Sequence, residues 1–239
     1  TDMPAGVDRF YTLYDGEGRL PRARVKEGFM FSAGGTKTQF SFPAGVLKNW
    51  SNLGDVQINC RANQAWVINM LPLASVNTNT NTATTAVSST YNLSPMKRAH
   101  IQAWLENVLE ELDEPGEWVL NTQTRKLYLW PRNSSANGPQ GILIPQLSEL
   151  IKVEGEVDYE GPKDNPMRGI AFKGLTFSHA DRRDWEQYEQ RTGWGLQHDW
   201  DMFDAPTALL RLRSAENVLI VNCRFSHSGG TGVRMDLHA

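Results

Sequence analysis

Carboxylates and aromatic rings are concentrated between residues 180 and 206 of this 239-residue chain, at Trp185, Trp194, His198, Asp199, Trp200, Asp201 and Asp204. Glycoside hydrolysis needs two carboxyl groups roughly 5 to 9.5 Å apart, and indole rings stack on sugar rings. We therefore take Asp199 and Asp201 as candidate catalytic residues. We take Trp194, Trp200 and His198 as candidate substrate contacts. The alternative is that these are turn and cover residues of a long loop.

Asp236 is a third candidate catalytic carboxylate. It ends an expected strand, which itself follows the glycine-containing loop 226–231. Strand alternation predicts that Asp236 points outward, beside Arg213 of the preceding repeat. A neighbouring arginine would keep the carboxylate ionised, as suits a nucleophile or base. The alternative is a salt bridge between repeats.

These candidates belong to a region that repeats internally. Residues 210–213 align with residues 233–236 at a spacing of 23, and residues 170–179 align with residues 218–227 at a spacing of 48. Such repetition is typical of a solenoid, whose coils stack their apolar positions into one core. The predicted columns are Ile151, Leu210 and Val233; Val153, Leu212 and Met235; and Phe177 with Phe225. The longer spacing exceeds one coil by 25 residues, which predicts a loop insertion at about 180–206.

Two charged columns are expected between the apolar ones, pointing to solvent. They contain Lys152, Arg211 and Arg234, and beside them Glu154, Arg213 and Asp236. Because neighbouring coils are about 4.8 Å apart, opposite charges come within salt-bridge reach. The face is either a solvated ladder or a glycan groove in which Arg211, Arg213 and Arg234 bind substrate.

Two equivalent positions are expected at the corners of the coils. Gly174 and Asn222 are residue types that tolerate a left-handed turn. His179 and His227 share another position, which favours a structural role over catalysis.

Residues 1–143 have a different pattern, which predicts a β-rich accessory module without catalytic groups. The expected hairpins are residues 10–18, residues 64–82 with a polar tip, and residues 118–130. Apolar residues at helical spacing predict one short helix at about 99–113, ending before Pro115. The polar run 133–141 marks the boundary, so residues 144–239 should form the coils.

Composition excludes several classes of function. A formal charge of -3 leaves no basic excess for nucleic acid, and the apolar runs are too short to span a membrane. We expect no cofactor, because zinc, calcium-loop, phosphate-loop and dinucleotide motifs are absent. Cys60 and Cys223 indicate no compartment.

The sequence resembles bacterial right-handed parallel β-helix proteins of glycoside hydrolase family 141 and its relatives. The resemblance rests on RLPRARVKEGF near the start, GEWVLNTQTRKLYLWP at 116–131, GIAFKGLTFSHA at 169–180 and ENVLIVNCRFSHSGGTGVRMDLHA at 216–239. It implies a secreted or periplasmic enzyme acting on a plant or algal polysaccharide. It also implies that the chain is a fragment, truncated at its C-terminus, whose activity requires the remainder of the polypeptide.

Two other functions stay open. A polysaccharide lyase on the same fold would use a basic residue such as Arg211 or Arg234, often with Ca²⁺. A non-catalytic carbohydrate-binding or adhesive β-helix would hold a glycan without cleaving it.

Overall fold

The protein is mainly β. The computed structural model describes residues 1–64, 68–97, 101–133, 138, 141–158, 163–182, 194–195 and 208–235. Its strands are β1 (Tyr14–Asp15), β2 (Gly18–Arg19), β3 (Gln39–Ser41), β4 (Gln57–Cys60), β5 (Asn69–Asn77), β6 (Thr82–Thr85), β7 (Ala103–Glu106), β8 (Trp118–Asn121), β9 (Lys126–Leu129), β10 (Glu149–Glu154), β11 (Met167–Arg168), β12 (Ala171–Lys173), β13 (Thr176–Ala180), β14 (Trp194–Gly195), β15 (Ala208–Arg213), β16 (Ala215–Glu216), β17 (Leu219–Val221), β18 (Arg224–Ser228) and β19 (Thr231–Met235). Two 3-10 turns occupy Leu53–Asp55 and Leu109–Glu111.

The chain divides into two compact units. Unit 1 comprises Thr1–Arg9, Leu20–Pro139 and Trp185–Asp204, and unit 2 comprises Phe10–Arg19, Gln140–Asp184 and Ala205–Ala239. This division differs from the predicted 1–143 and 144–239 because Phe10–Arg19 groups with the C-terminal part, Trp185–Asp204 groups with the N-terminal part, and the boundary lies between residues 139 and 140. Backbone bonds explain the first difference: Tyr14 N donates to Leu143 O at 3.1 Å, and Leu143 N donates to Tyr14 O at 2.9 Å.

Unit 1 is built on an antiparallel sheet in the order β3-β6-β5-β4-β7, with β14 paired to β5. The predicted hairpins are present as β5 with β6 and as β8 with β9, both antiparallel. Alternate residues Ile58 and Cys60 of β4 pack with Leu105 in the core of this unit. Gln57 and Asn59, which alternate with them, are buried as well, so this strand is covered on both faces.

The predicted helix at about 99–113 is wrong. Residues 103–106 form β7, which pairs antiparallel with β4, and only Leu109–Glu111 turn as a 3-10 segment. Ala103 and Leu105 are buried, while Trp104 and Glu106, which alternate with them, are partly exposed. Burial therefore repeats every two residues, as in a strand. Ile101, which would start the apolar helical stripe, is 56% exposed.

Apart from the antiparallel hairpin of β1 and β2, the described strands of unit 2 form parallel pairs stacked in register. Strands β10, β15 and β19 form one three-stranded sheet, and β11 with β16, β12 with β17 and β13 with β18 form three two-stranded sheets. The predicted alignment is confirmed: Leu210 pairs with Ile151 and Val233, and Phe177 pairs with Phe225. The phenyl rings of this last pair stack with centroids 4.9 Å apart and planes 4° apart.

Residues with a left-handed backbone recur at regular intervals, just after β11, β12, β16 and β17 and one residue before the end of β13 and of β18. Gly174 and Asn222 have φ angles of 67° and 53°, as the corner hypothesis predicts. The same conformation occurs five residues earlier and five residues later in both repeats, at Gly169 and Asn217 and at His179 and His227. Only glycine adopts it without cost, and asparagine and histidine are enriched among the other residues that do.

Candidate functional site

The sheet β10-β15-β19 of unit 2 brings together the three arginines predicted to bind substrate. Arg211 is paired with Arg234 by strand register, and Arg213 is paired with Glu154. Arg213 Nη1 lies 3.6 Å from Glu154 Oε1, and Lys152 Nζ also contacts that carboxylate. The described part of this sheet therefore carries four cationic and two anionic side chains, the second anion being Glu149.

The predicted solvent exposure of Arg211 is wrong. Its side chain is only 8% exposed, and its Nη1 lies 3.6 Å from Oε1 of Glu149, whose side chain is 11% exposed. Desolvating a guanidinium is tolerated when a carboxylate accompanies it. Glu149 was missed because it precedes the aligned columns, although a glutamate at the start of a predicted apolar strand was a usable signal.

The two described carboxylates of this sheet do not form a catalytic pair. Glu149 and Glu154 are five residues apart on one extended strand. A rise of about 3.3 Å per residue separates their Cα atoms by roughly 16 Å. That exceeds the separation of about 5 to 9.5 Å that both glycosidase mechanisms require.

The proposed catalytic residues Asp199, Asp201 and Asp236 lie outside the described residues, as do His198 and Trp200. For Trp194 the description covers the backbone, which pairs with Met70 in β14 and β5. The roles assigned to these residues stay predictions.

Two imidazole rings stack on one another at the ends of β13 and β18. The ring centroids of His179 and His227 are 4.7 Å apart with planes 11° apart, and Tyr14 meets both rings edge to face at 5.0 and 5.5 Å. Ser178 Oγ lies 2.7 Å from Nδ1 of His179 and 3.4 Å from Nδ1 of His227. Burial, followed by the charge of His227, lowers the pKa of His179 below its ordinary value. Parallel rings direct their lone pairs side by side, so the pair is poorly shaped to chelate one metal ion.

Within unit 2, Asp181, directly after β13, holds the segment Phe10–Arg19 to the end of that strand. Its carboxylate accepts hydrogen bonds from Tyr11 N at 2.9 Å and from Thr12 Oγ1 at 2.9 Å. The guanidinium carbon of Arg182 lies 3.7 Å from the centroid of the Tyr11 ring. Burial raises the pKa of Asp181, against the effect of these hydrogen bonds and of Arg182. A carboxylate this fully engaged is a structural anchor.

Unit 1 presents a second candidate surface for binding carbohydrate, the aromatic strip on β9 and just after it. Lys126, Tyr128 and Trp130 alternate along β9 and the residue after it and so lie on one face, and Arg132 follows in a bend. Trp130 is 45% exposed, and its backbone is fixed because its N donates to Glu117 O at 2.9 Å. An exposed indole beside a phenol is a platform for a sugar ring. The alternation of KLYLWPR was visible in the sequence.

The fold is similar to that of a solved structure. A solved structure named "Glycoside hydrolase" superimposes on 98% of this chain with a TM-score of 0.66. The sequences are 20% identical, and the chain spans 46% of that structure's length. The likeness establishes a shared fold. No protein-family model matches the chain, and no curated protein matches it.

Within the described ranges, no group of three or more His, Cys, Asp or Glu side chains is arranged to hold a metal ion. In that same part of the chain, no helix has the length and apolar character of a membrane span. Cys60 and Cys223 are both free thiols.

Proposed function

We propose that the chain is part of a glycoside hydrolase built on a right-handed parallel β-helix, with its substrate cleft on the outward face of β10, β15 and β19. The observation that carries the proposal is the likeness to a solved glycoside hydrolase over 98% of this chain. The parallel registers support it, because coils of this kind stack identical positions.

The charges of the proposed cleft indicate the substrate class. Arg211 and Arg234 are adjacent across strands about 4.8 Å apart, and two arginines so close repel unless anions accompany them. Glu149 is the anion beside Arg211, and Glu154 lies beside Arg213, the other arginine of β15. We infer that a sheet whose described side chains include four cations and two anions favours an acidic or hydroxyl-rich polysaccharide of plant or algal origin. Asp236, the residue after β19, is the proposed catalytic carboxylate, with Asp199 or Asp201 as its partner.

The proposal includes a longer polypeptide, because the chain spans 46% of the similar structure. Apolar residues at the β19 side of the stack support it. A cavity of about 320 Å³ opens there, lined by Leu212, Ala215, Asn217, Val218, Ile220, Val233 and Met235. Met235 is 65% exposed, and a further coil would cover it.

We also propose that the protein acts outside the cytoplasm of a bacterium, which cell fractionation would test.

The experiment is a glycan panel incubated with the full-length protein, with products resolved by chromatography. New reducing ends without ultraviolet absorbance are expected. Unsaturated, absorbing products would instead identify a lyase, and the absence of any cleavage would remove the enzyme proposal. Arg213→Gln should raise KM, whereas Arg224→Gln is a matched control because Arg224 is an exposed arginine on a different sheet, β18.

The aromatic strip favours one other function, carbohydrate binding without cleavage. Exposed aromatic residues clustered on a surface mark interaction sites. Trp130→Ala should abolish retention on an immobilised glycan, while Ile101→Ala, which removes an exposed aliphatic side chain from unit 1, should not. Equal retention of both variants and of the wild type would exclude the strip as the binding surface.

A further inference from the structure

We propose that the stacked His179–His227 pair is an acid-sensitive clasp that holds the segment Phe10–Arg19 onto the ends of β13 and β18. Such a clasp would stabilise unit 2 whether or not the protein is an enzyme. The supporting observations are the geometry of the two rings, the tyrosine that bridges them, and the absence of a carboxylate among their described contacts.

Tyr14 connects the segment to both histidines. Its ring contacts the two imidazoles at 5.0 and 5.5 Å, and its hydroxyl donates to the backbone oxygen of His227 at 2.9 Å. The same residue pairs with Leu143 through two backbone hydrogen bonds. A displacement of either histidine ring therefore removes contacts that hold the segment in place.

The stack suits two neutral rings better than two charged ones. Two imidazolium ions with centroids 4.7 Å apart would repel each other. Ser178 Oγ faces Nδ1 of both rings and has one proton to donate. A neutral imidazole nitrogen can accept that proton, whereas both nitrogens of an imidazolium can only donate. Protonation of His179 therefore reverses its bond to Ser178, whose hydroxyl oxygen must then accept, and places a positive charge on a ring whose centroid lies 4.7 Å from that of His227.

The carboxylates of Asp15 and Asp181, described near these rings, are hydrogen-bonded to other groups. On the segment side, Arg19 is within electrostatic range of Tyr14, and Gly18 carries no side chain beside His227. Asp15 accepts hydrogen bonds from the backbone of its own turn. On the β13 side, Asp181 is bonded to the segment backbone and to Thr12, beside Arg182.

The expected pH dependence follows from the lowered pKa of His179 in the folded state. The unfolded chain, with a histidine pKa of about 6.5, then binds more protons than the folded chain at moderately acid pH. Stability is therefore complete above pH 6.5, falls as the pH decreases through 6.5, and becomes level below the folded pKa. Each linked proton lowers the folding constant by at most about tenfold per pH unit.

The test compares hydrogen exchange of the Tyr14 and Leu143 amides between pH 5 and 8, corrected for intrinsic exchange rates. In the wild type these amides should lose protection below pH 6.5. His179→Asn should remove the pH dependence, because asparagine tolerates the left-handed backbone but does not titrate. His100→Asn is the control, a histidine remote in sequence that should leave the profile unchanged.

Equal pH profiles for the wild type and His179→Asn would overturn the proposal. A proton NMR titration of the wild type keeps the test decisive if the variant does not fold. A pKa for His179 at or above 6.5 would show that the folded state does not disfavour the proton, and the clasp would be refuted.

Discussion

Replacing Phe177 by alanine should destabilise unit 2 more than any other single truncation in its phenylalanine column. Phe177 is 5% exposed, stacks on Phe225 at 4.9 Å and contacts Phe172 edge to face at 6.0 Å. A buried phenylalanine removed to alanine costs about 3 to 5 kcal/mol, since a cavity remains. Phe225 is partly exposed, so Phe225→Ala should cost roughly half as much, about 2 kcal/mol.

The assay is urea unfolding followed by circular dichroism, with hydrogen exchange of the β13 and β18 amides to assign the transition to unit 2. Leu175→Ala, at a residue that is 46% exposed, is the control and should change stability by less than about 0.5 kcal/mol. The double variant should show a coupling of about 0.5 to 1.5 kcal/mol between the two stacked rings. A loss below about 1 kcal/mol for Phe177→Ala, or strict additivity, would refute the stacked-core interpretation.

Three further outcomes are expected. Gly229→Ala should prevent stable folding of unit 2, measured by circular dichroism, because a Cβ there would lie 2.5 Å from the backbone nitrogen of Arg182. Asn222→Val should lower stability by about 1 to 2 kcal/mol while Asn222→Gly does not, since valine tolerates the φ of 53° poorly; equal melting temperatures would contradict this. Cys60, whose pKa burial raises to about 12, should resist iodoacetamide in the native protein and react only after unfolding, as mass spectrometry would show.

Much of the architecture of unit 2 could be predicted from the sequence. Identical positions stack in a solenoid, so the spacings of 23 and 48 predicted the pairing of Leu210 with Val233 and of Phe177 with Phe225. The corner residues could also be predicted from the sequence, because few residue types adopt a positive φ.

The wrongly predicted helix at 99–113 shows the limit of predicting secondary structure from apolar spacing. Apolar residues at helical spacing are also compatible with a short strand followed by a turn, and only pairing with β4 selects between them. Periodicity reports which side chains are buried, but the partner that buries them is not encoded in the same stretch.

The chemistry of the proposed cleft was predictable in part. The residue types and their order along β10, β15 and β19 are properties of the sequence, and so is the column that contains Arg211 and Arg234. Alternation could not show that Arg211 is buried beside Glu149, because burial depends on what covers a strand face as well as on which face a residue takes.

The sequence by itself determined the repeat, the left-handed corners and the mainly β class, because these follow from local spacing and from backbone preferences. Only the tertiary structure decided that Phe10–Arg19 belongs with residues more than 100 positions later, through Tyr14, Leu143 and Asp181. Those contacts join backbone groups and a single buried carboxylate. Backbone hydrogen bonds carry no residue signature, so no pattern in the chain identifies their partners.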